Sequence, residues 1–248
     1  KASLYFFKRK SCTIFVLLKF KIKMSGFLSS SIARKVAMAL SALFLIFFLI
    51  IHLSVNITSV FSESLFNELS HFMGTNPLVQ FALQPVLIFG VVFHFVMGFV
   101  LELKNKKASA VKYAKNNGAA NSSWSSRNMI YSGLVILGFI VLHFVDFWFP
   151  ELNVKYVQGD MTGLLEGTQD FRYFEELQHK FVPVWRVVAY VVAFALLGVH
   201  LAHGFQSAFQ SMGFNNKYTK TVKSLGNIYS IVIPLGFIIV AVFHHLNH

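Results

Sequence analysis

Residues 184–210 read VWRVVAYVVAFALLGVHLAHGFQSAFQ. From Val187 to Leu201 the only ionisable groups are Tyr190 and His200. As a helix, the stretch is long enough to cross the hydrocarbon core of a bilayer, which takes about 20 mostly apolar residues. A surface helix of a soluble domain would carry a polar face along its length, and this one does not. Four further stretches have the same character, at 34–56, 78–102, 127–149 and 225–246. Pro85 and Pro234 fall inside two of them, which membrane helices tolerate. The expectation is an all-α integral membrane bundle of five transmembrane helices at about those positions, with a long connection between the third and fourth.

Composition agrees. The chain has 248 residues, of which 55% are hydrophobic and only 13% charged, with 29 phenylalanines. The charged share is about half that of an ordinary soluble domain. The single cysteine, Cys12, allows no disulfide, no cysteine-ligated cluster and no CxxCH attachment. A redox cofactor would have to be held by His or Met. The net charge of +12 is concentrated at the start: residues 1–23 carry seven Lys/Arg and no acid. They read as a leader or upstream extension, leaving residues 24–248 as a single membrane domain with a net charge of 12 − 7 = +5. That modest excess does not call for nucleic acid.

The loops set an orientation. Arg34 and Lys35 precede the first span. Lys104, Lys106, Lys107, Lys112 and Lys115 follow the second, and Lys217, Lys220 and Lys223 follow the fourth. The other two loops are neutral or acidic. By the positive-inside rule the N-terminus is expected in the cytoplasm and the C-terminus outside.

Ionisable residues inside a span are rare and mark function by default. Here His52, His94, His143 and His200 each occupy a different apolar helix. One membrane histidine is readily explained as a cross-helix hydrogen bond, but four in four consecutive helices are not. Counted from the flanking residues, His52 and His143 fall in the outer half, and His94 and His200 in the inner half. At about 1.5 Å rise per residue the two levels stand roughly 10 Å apart. Haem iron takes an axial imidazole on each side. The expected pairs are therefore His52 with His143 and His94 with His200, so that helices 1–4 enclose two b haems. Gly98 follows His94 and Gly204 follows His200 at the same spacing. A small residue there allows a flat macrocycle close approach, though it serves helix packing equally well. His203, one turn beyond His200, is an alternative ligand or a supporting group. His71 and His179 lie in outer loops, and His244, His245 and His248 read as an exposed tail.

With these residues in place, the chain resembles the single-subunit, five-helix dihaem cytochrome b anchor of succinate:quinone oxidoreductases. The resemblance rests on the four histidines, the two His-x-x-x-Gly spacings, and the segments RKVAMALSALFLIFFLIIHLSVN (34–56) and LLGVHLAHGFQSAFQSMG (196–213), which are similar to versions from Bacteroidota. It covers about residues 25–246. It implies a bacterial inner-membrane subunit without a dicarboxylate site of its own. A flavoprotein and an iron–sulfur subunit would dock on the cytoplasmic face, and electrons would pass to a quinone, menaquinone in this type, in succinate dehydrogenase or fumarate reductase, within a complex that can form a higher oligomer. It also implies His94 and His200 for the cytoplasm-proximal haem, and His52 and His143 for the distal one.

Two positions depart from that pattern. Where related fumarate reductases have a glutamate two residues before the fourth ligand, this chain has Gly198. Where they have a quinol-site glutamate late in the first outer loop, Met73 stands, with Glu68 and His71 as the nearby groups able to move a proton. Asp146 is a further carboxylate, one turn past His143, and reads as a helix-end group at the interface. Ser31, Arg34 and Lys35 could meet a partner subunit or quinone, or simply anchor the helix. Lys180, Arg186 and Arg127 are positioned to meet haem propionates. Two other readings stay open. One is a dihaem anchor of a hydrogenase or formate dehydrogenase. The other is a transporter that uses its histidines for protons or metal.

Overall fold

The computed structural model describes residues 30–108, 124–214 and 216–248. The basic segment 1–23 and Lys112 and Lys115 lie outside them. Among the described residues seven helices of nine residues or more form: α1 (Ser31–Asn56), α2 (Glu63–Thr75), α3 (Gln84–Ala108), α4 (Met129–His143), α5 (Tyr173–Phe181), α6 (Val184–Ser211) and α7 (Thr219–Leu246). Among the described residues there is no strand, only an isolated bridge between Leu164 and Phe171. With their continuations, α1, α3, α4, α6 and α7 give five apolar spans: Ser31–Val60, Val79–Lys107, Met129–Val157, Val184–Ser211 and Thr219–Leu246. The chain is a multi-pass, all-α membrane bundle. A 30-residue helix is about 45 Å long, enough for the hydrocarbon core and both headgroup layers. Phe47, Phe89 and Ile231 are 62%, 69% and 58% exposed, a surface that suits lipid and not water.

The chain divides at Lys35. Val36–His248 is one compact unit, and of the other the structure describes 30–35. At the start of α1, Ser30 Oγ accepts the Ala33 amide at 3.2 Å, a standard N-cap.

The spans run longer than the apolar runs alone predict, and α4 differs most. It continues to Val157, past the expected end at residue 149. Pro150 lacks an amide and its ring would clash with the carbonyl four residues back. A wider π-type turn at Phe144–Trp148 precedes it, closed by the Phe149 amide on the Phe144 carbonyl. A second π-type turn, Val79–Leu83, stands in the same relation to Pro85. These wider turns keep the backbone hydrogen-bonded where no water is available.

Pro234 is accommodated differently. It leaves the Ser230 carbonyl without its helical donor, and that carbonyl faces α6 at Gly198. A Cβ built on Gly198 would lie 3.0 Å from Ser230 O and 3.4 Å from the Pro234 ring. The absent glutamate thus has a structural reason, because at this position the α7 backbone lies against α6. The densest packing is α6 against α7, followed by α4 against α6. Phe181, Tyr190, Phe194, Ile233, Phe237 and Ala241 form its core. α1 makes no comparable backbone approach to any other span. It is held by side chains: Tyr229 donates to the Ile46 carbonyl at 2.6 Å, and Leu53 packs at Gly236.

One end of the bundle is capped. Ser62 caps α2 by accepting the Leu65 amide, and Phe66 packs edge-on against Phe174 of α5. The 158–172 connection folds back so that the Arg172 amide reaches the Gly163 carbonyl. Arg172 pairs with Glu151 and Glu176, while Lys155 pairs with Glu151 at 2.7 Å and bonds the Gly74 carbonyl. Lys155 and Arg172 are only 3% and 8% exposed, so these charges fasten α4 to the loops over it.

Candidate functional site

The four span histidines come together in two pairs. His52 on α1 faces His143 on α4, with ring centroids 5.8 Å apart. His94 on α3 faces His200 on α6 at 6.3 Å. The pairing matches the expectation from depth. His203 is half-buried, and among the described residues its ring makes no contact with His94, so α6 presents His200 to the pair.

The spacing can be tested against a metal. Two imidazoles on opposite sides of one iron, with bonds of about 2 Å and roughly another 1 Å from nitrogen to ring centre, stand about 6 Å apart. Both pairs meet that separation. Among the described residues no three His, Cys, Asp or Glu side chains converge. Each pair therefore offers two donors. A bare zinc ion is held by three or four protein ligands, and calcium by six to eight oxygens. Two opposed imidazoles suit a metal whose remaining ligands arrive with a macrocycle. The residues present fit two haems.

The surroundings of the pairs differ. His94 Nδ1 lies 3.1 Å from Ser41 Oγ of α1, and His200 Nδ1 lies 3.2 Å from Ser132 Oγ of α4. Gly133 lies against the His200 ring, where a Cβ would be 3.7 Å from Cε1. The other pair is set in aromatic rings. Phe48 stacks on His52 at 5.2 Å, Phe139 stacks on His143 at 5.8 Å, and Phe237 lies 5.5 Å from His52. The nearest polar group to His52 Nδ1 is the Asn56 amide, at 3.4 Å, while His143 Nδ1 is buried without a partner. The serines could not be picked out from the sequence, since a membrane serine commonly bonds its own helix.

Asp146 is not an interfacial carboxylate. It is 2% exposed, accepts the Tyr190 hydroxyl at 2.9 Å and pairs with Arg186 Nε at 3.2 Å. A desolvated carboxylate needs such partners. Arg186, expected to meet a propionate, is thus engaged with Asp146, and it also bonds the Lys180 carbonyl at 3.4 Å and lies over the Trp185 ring.

Glu68 and His71 occupy α2. Glu68 is exposed, its Oε1 accepting the Ser64 hydroxyl at 3.4 Å. His71 stacks on Phe171 at 4.1 Å, with Nδ1 3.4 Å from the Tyr173 hydroxyl. Its contacts are with the folded-back loop and not with the span histidines. The tail expectation fails for His244, which is 0% exposed with Nε2 2.9 Å from Ser59 Oγ, and for His245, whose Nδ1 lies 2.9 Å from the Phe181 carbonyl. α7 runs on to Leu246 and carries both into the cap.

No protein-family model matches the chain, and no curated protein or solved structure matches it significantly. A functional reading therefore rests on the residues and their geometry.

Proposed function

We propose that the chain is the dihaem cytochrome b anchor of a succinate:quinone oxidoreductase in a bacterial inner membrane. The observation that carries this is the pair of facing histidine sets, His52 with His143 and His94 with His200, at a spacing suited to bis-imidazole iron. A b haem at each set supplies a one-electron carrier. The chain's own residues do the rest. The four imidazoles hold and orient the two groups. Phe48, Phe139 and Phe237 exclude water around one set, and Ser41 and Ser132 support the other. Exposed Lys104, Lys106 and Lys107 at the end of α3, Lys217 before α7, and Lys220 and Lys223 in its first turns lie at the end nearer His94 and His200. The positive-inside rule puts that end in the cytoplasm, facing an iron–sulfur and a flavoprotein subunit. Quinone, of menaquinone type, exchanges its electrons through the opposite level, with Glu68 and His71 the candidate groups for its protons.

The test is to solubilise the protein from its own membranes and record visible spectra. Reduction of b-type absorbance by succinate, with co-purifying flavoprotein and iron–sulfur subunits, supports the assignment. The same haem bands with a hydrogenase or formate dehydrogenase partner move it to those enzymes. A colourless protein favours a histidine-dependent transporter.

A further inference from the structure

A serine hydroxyl stands beside Nδ1 of each of His94 and His200, and what is inferred from this rests on the haem reading above. Ser41 Oγ donates its single hydrogen to the Met38 carbonyl at 2.8 Å, and Ser132 Oγ donates to the Met129 carbonyl at 3.0 Å. A hydroxyl has one hydrogen and two lone pairs. With the hydrogen committed to the helix, each oxygen can only accept from the imidazole. On that assignment Nδ1 is the protonated nitrogen in both rings, which leaves the Nε2 lone pair free.

The arrangement recurs. Ser41 precedes His52 by 11 residues on α1, and Ser132 precedes His143 by 11 residues on α4. Eleven residues make just over three helical turns, so each serine lies on the same helix face as the histidine of the other level. Those two helices therefore serve both levels, one with a ligand and one with an acceptor. His244 supplies the contrast. Ser59 Oγ is likewise committed to a carbonyl, that of Asn56 at 2.7 Å, but it meets Nε2 of His244. On the same assignment that ring takes the opposite tautomer, and it sits in the packed cap.

We propose that Ser41 and Ser132 are positioning residues that hold His94 and His200 in the Nδ1–H tautomer, directing both Nε2 lone pairs at one iron and raising their basicity. An acceptor on the distal nitrogen makes an imidazole a stronger donor. A stronger donor favours ferric over ferrous iron. The other pair has no such hydroxyl, and His143 Nδ1 has no partner.

Redox potentiometry of the intact complex tests this. Ser41→Ala and Ser132→Ala should each weaken the ferric preference of one haem about tenfold, raising its midpoint by about 59 mV for one electron. The affected haem should be the one lost in His94→Ala. Ser41→Thr and Ser132→Thr, which keep the hydroxyl, should restore the parental value. Unchanged potentials, or equal shifts of both haems, would overturn the proposal. If the protein holds no haem, the parent reading fails, and the tautomer is read directly from 15N-histidine shifts. Protonated Nδ1 at residues 94 and 200, with protonated Nε2 at residue 244, sustains the serine role, and the reverse removes it.

Discussion

The hydroxyl of Tyr190 donates to Oδ2 of Asp146 at 2.9 Å, deep between α6 and α4. Arg186 completes the carboxylate's partners at 3.2 Å, one turn of α6 before Tyr190. The cluster joins the two helices three residues beyond His143. Removing one partner of a buried pair leaves an uncompensated charge at a cost of about 3–5 kcal/mol. Arg186→Leu should therefore lower thermal stability in detergent more than Tyr190→Phe, which removes one hydrogen bond to a charged group worth about 1.5–3 kcal/mol. Equal melting temperatures for Arg186→Leu and the parent protein would show that Asp146 is solvated.

Gly198 lies where the α7 backbone comes against α6. Enlarging it forces a side chain against the Ser230 carbonyl and the Pro234 ring. Gly198→Leu should destabilise the bundle by about 1–3 kcal/mol, the usual cost of overpacking. The measurement is the thermal midpoint of the purified protein. A stability equal to that of the parent would mean the interface is looser than its geometry implies.

His244 ties the end of α7 to the turn following α1 through Ser59, with Phe174 packed edge-on to its ring at 5.2 Å. His244→Ala should cost about 1–3 kcal/mol through the lost buried hydrogen bond alone. Hydrogen exchange should report it as faster opening in Ile57–Val60 and the last turn of α7. His248→Ala, at the exposed end, should change neither.

Asp160 lies in the loop outside the spans. Its carboxylate accepts the Thr162 hydroxyl at 2.6 Å and the Thr162 amide at 2.8 Å. These bonds favour the charged form and hold its pKa below the ordinary 3.8, the side-chain bond contributing most. A depressed carboxylate stabilises the fold above its unfolded pKa, and that contribution is lost as pH falls through the lower folded value. The 158–163 turn should thus keep its structure down to pH 4 and loosen below it. Thr162→Val should move the Asp160 titration, followed by carboxyl 13C shifts, back towards 3.8.

The five spans and the four histidines were legible because a bilayer enforces long apolar helices and penalises ionisable groups within them. Depth along the helix was enough to pair His52 with His143 and His94 with His200. The extension of α4 past Pro150 was not legible, because the π-type turn that absorbs the proline has no sequence signature. Ser41 and Ser132 were missed because their role depends on the rotation of α1 and α4 about their axes, which apolar periodicity cannot fix in helices that are hydrophobic all round. The buried salt bridges of Lys155 and Arg172 looked like loop charge, since their partner Glu151 comes from a helix that the apolar run ended too early. His244 was placed in a tail although the expected span reached residue 246, because its last turn is polar in sequence; that turn is packed under α5.

The haem content of the purified chain, measured as pyridine haemochrome against protein concentration, is the most direct test of the facing pairs. Two b-type haems per chain are predicted, falling to one in His94→Ala or His200→Ala and to one, the other, in His52→Ala or His143→Ala. No haem in the parent protein, or loss of both haems from each single variant, would contradict two independent bis-histidine sites.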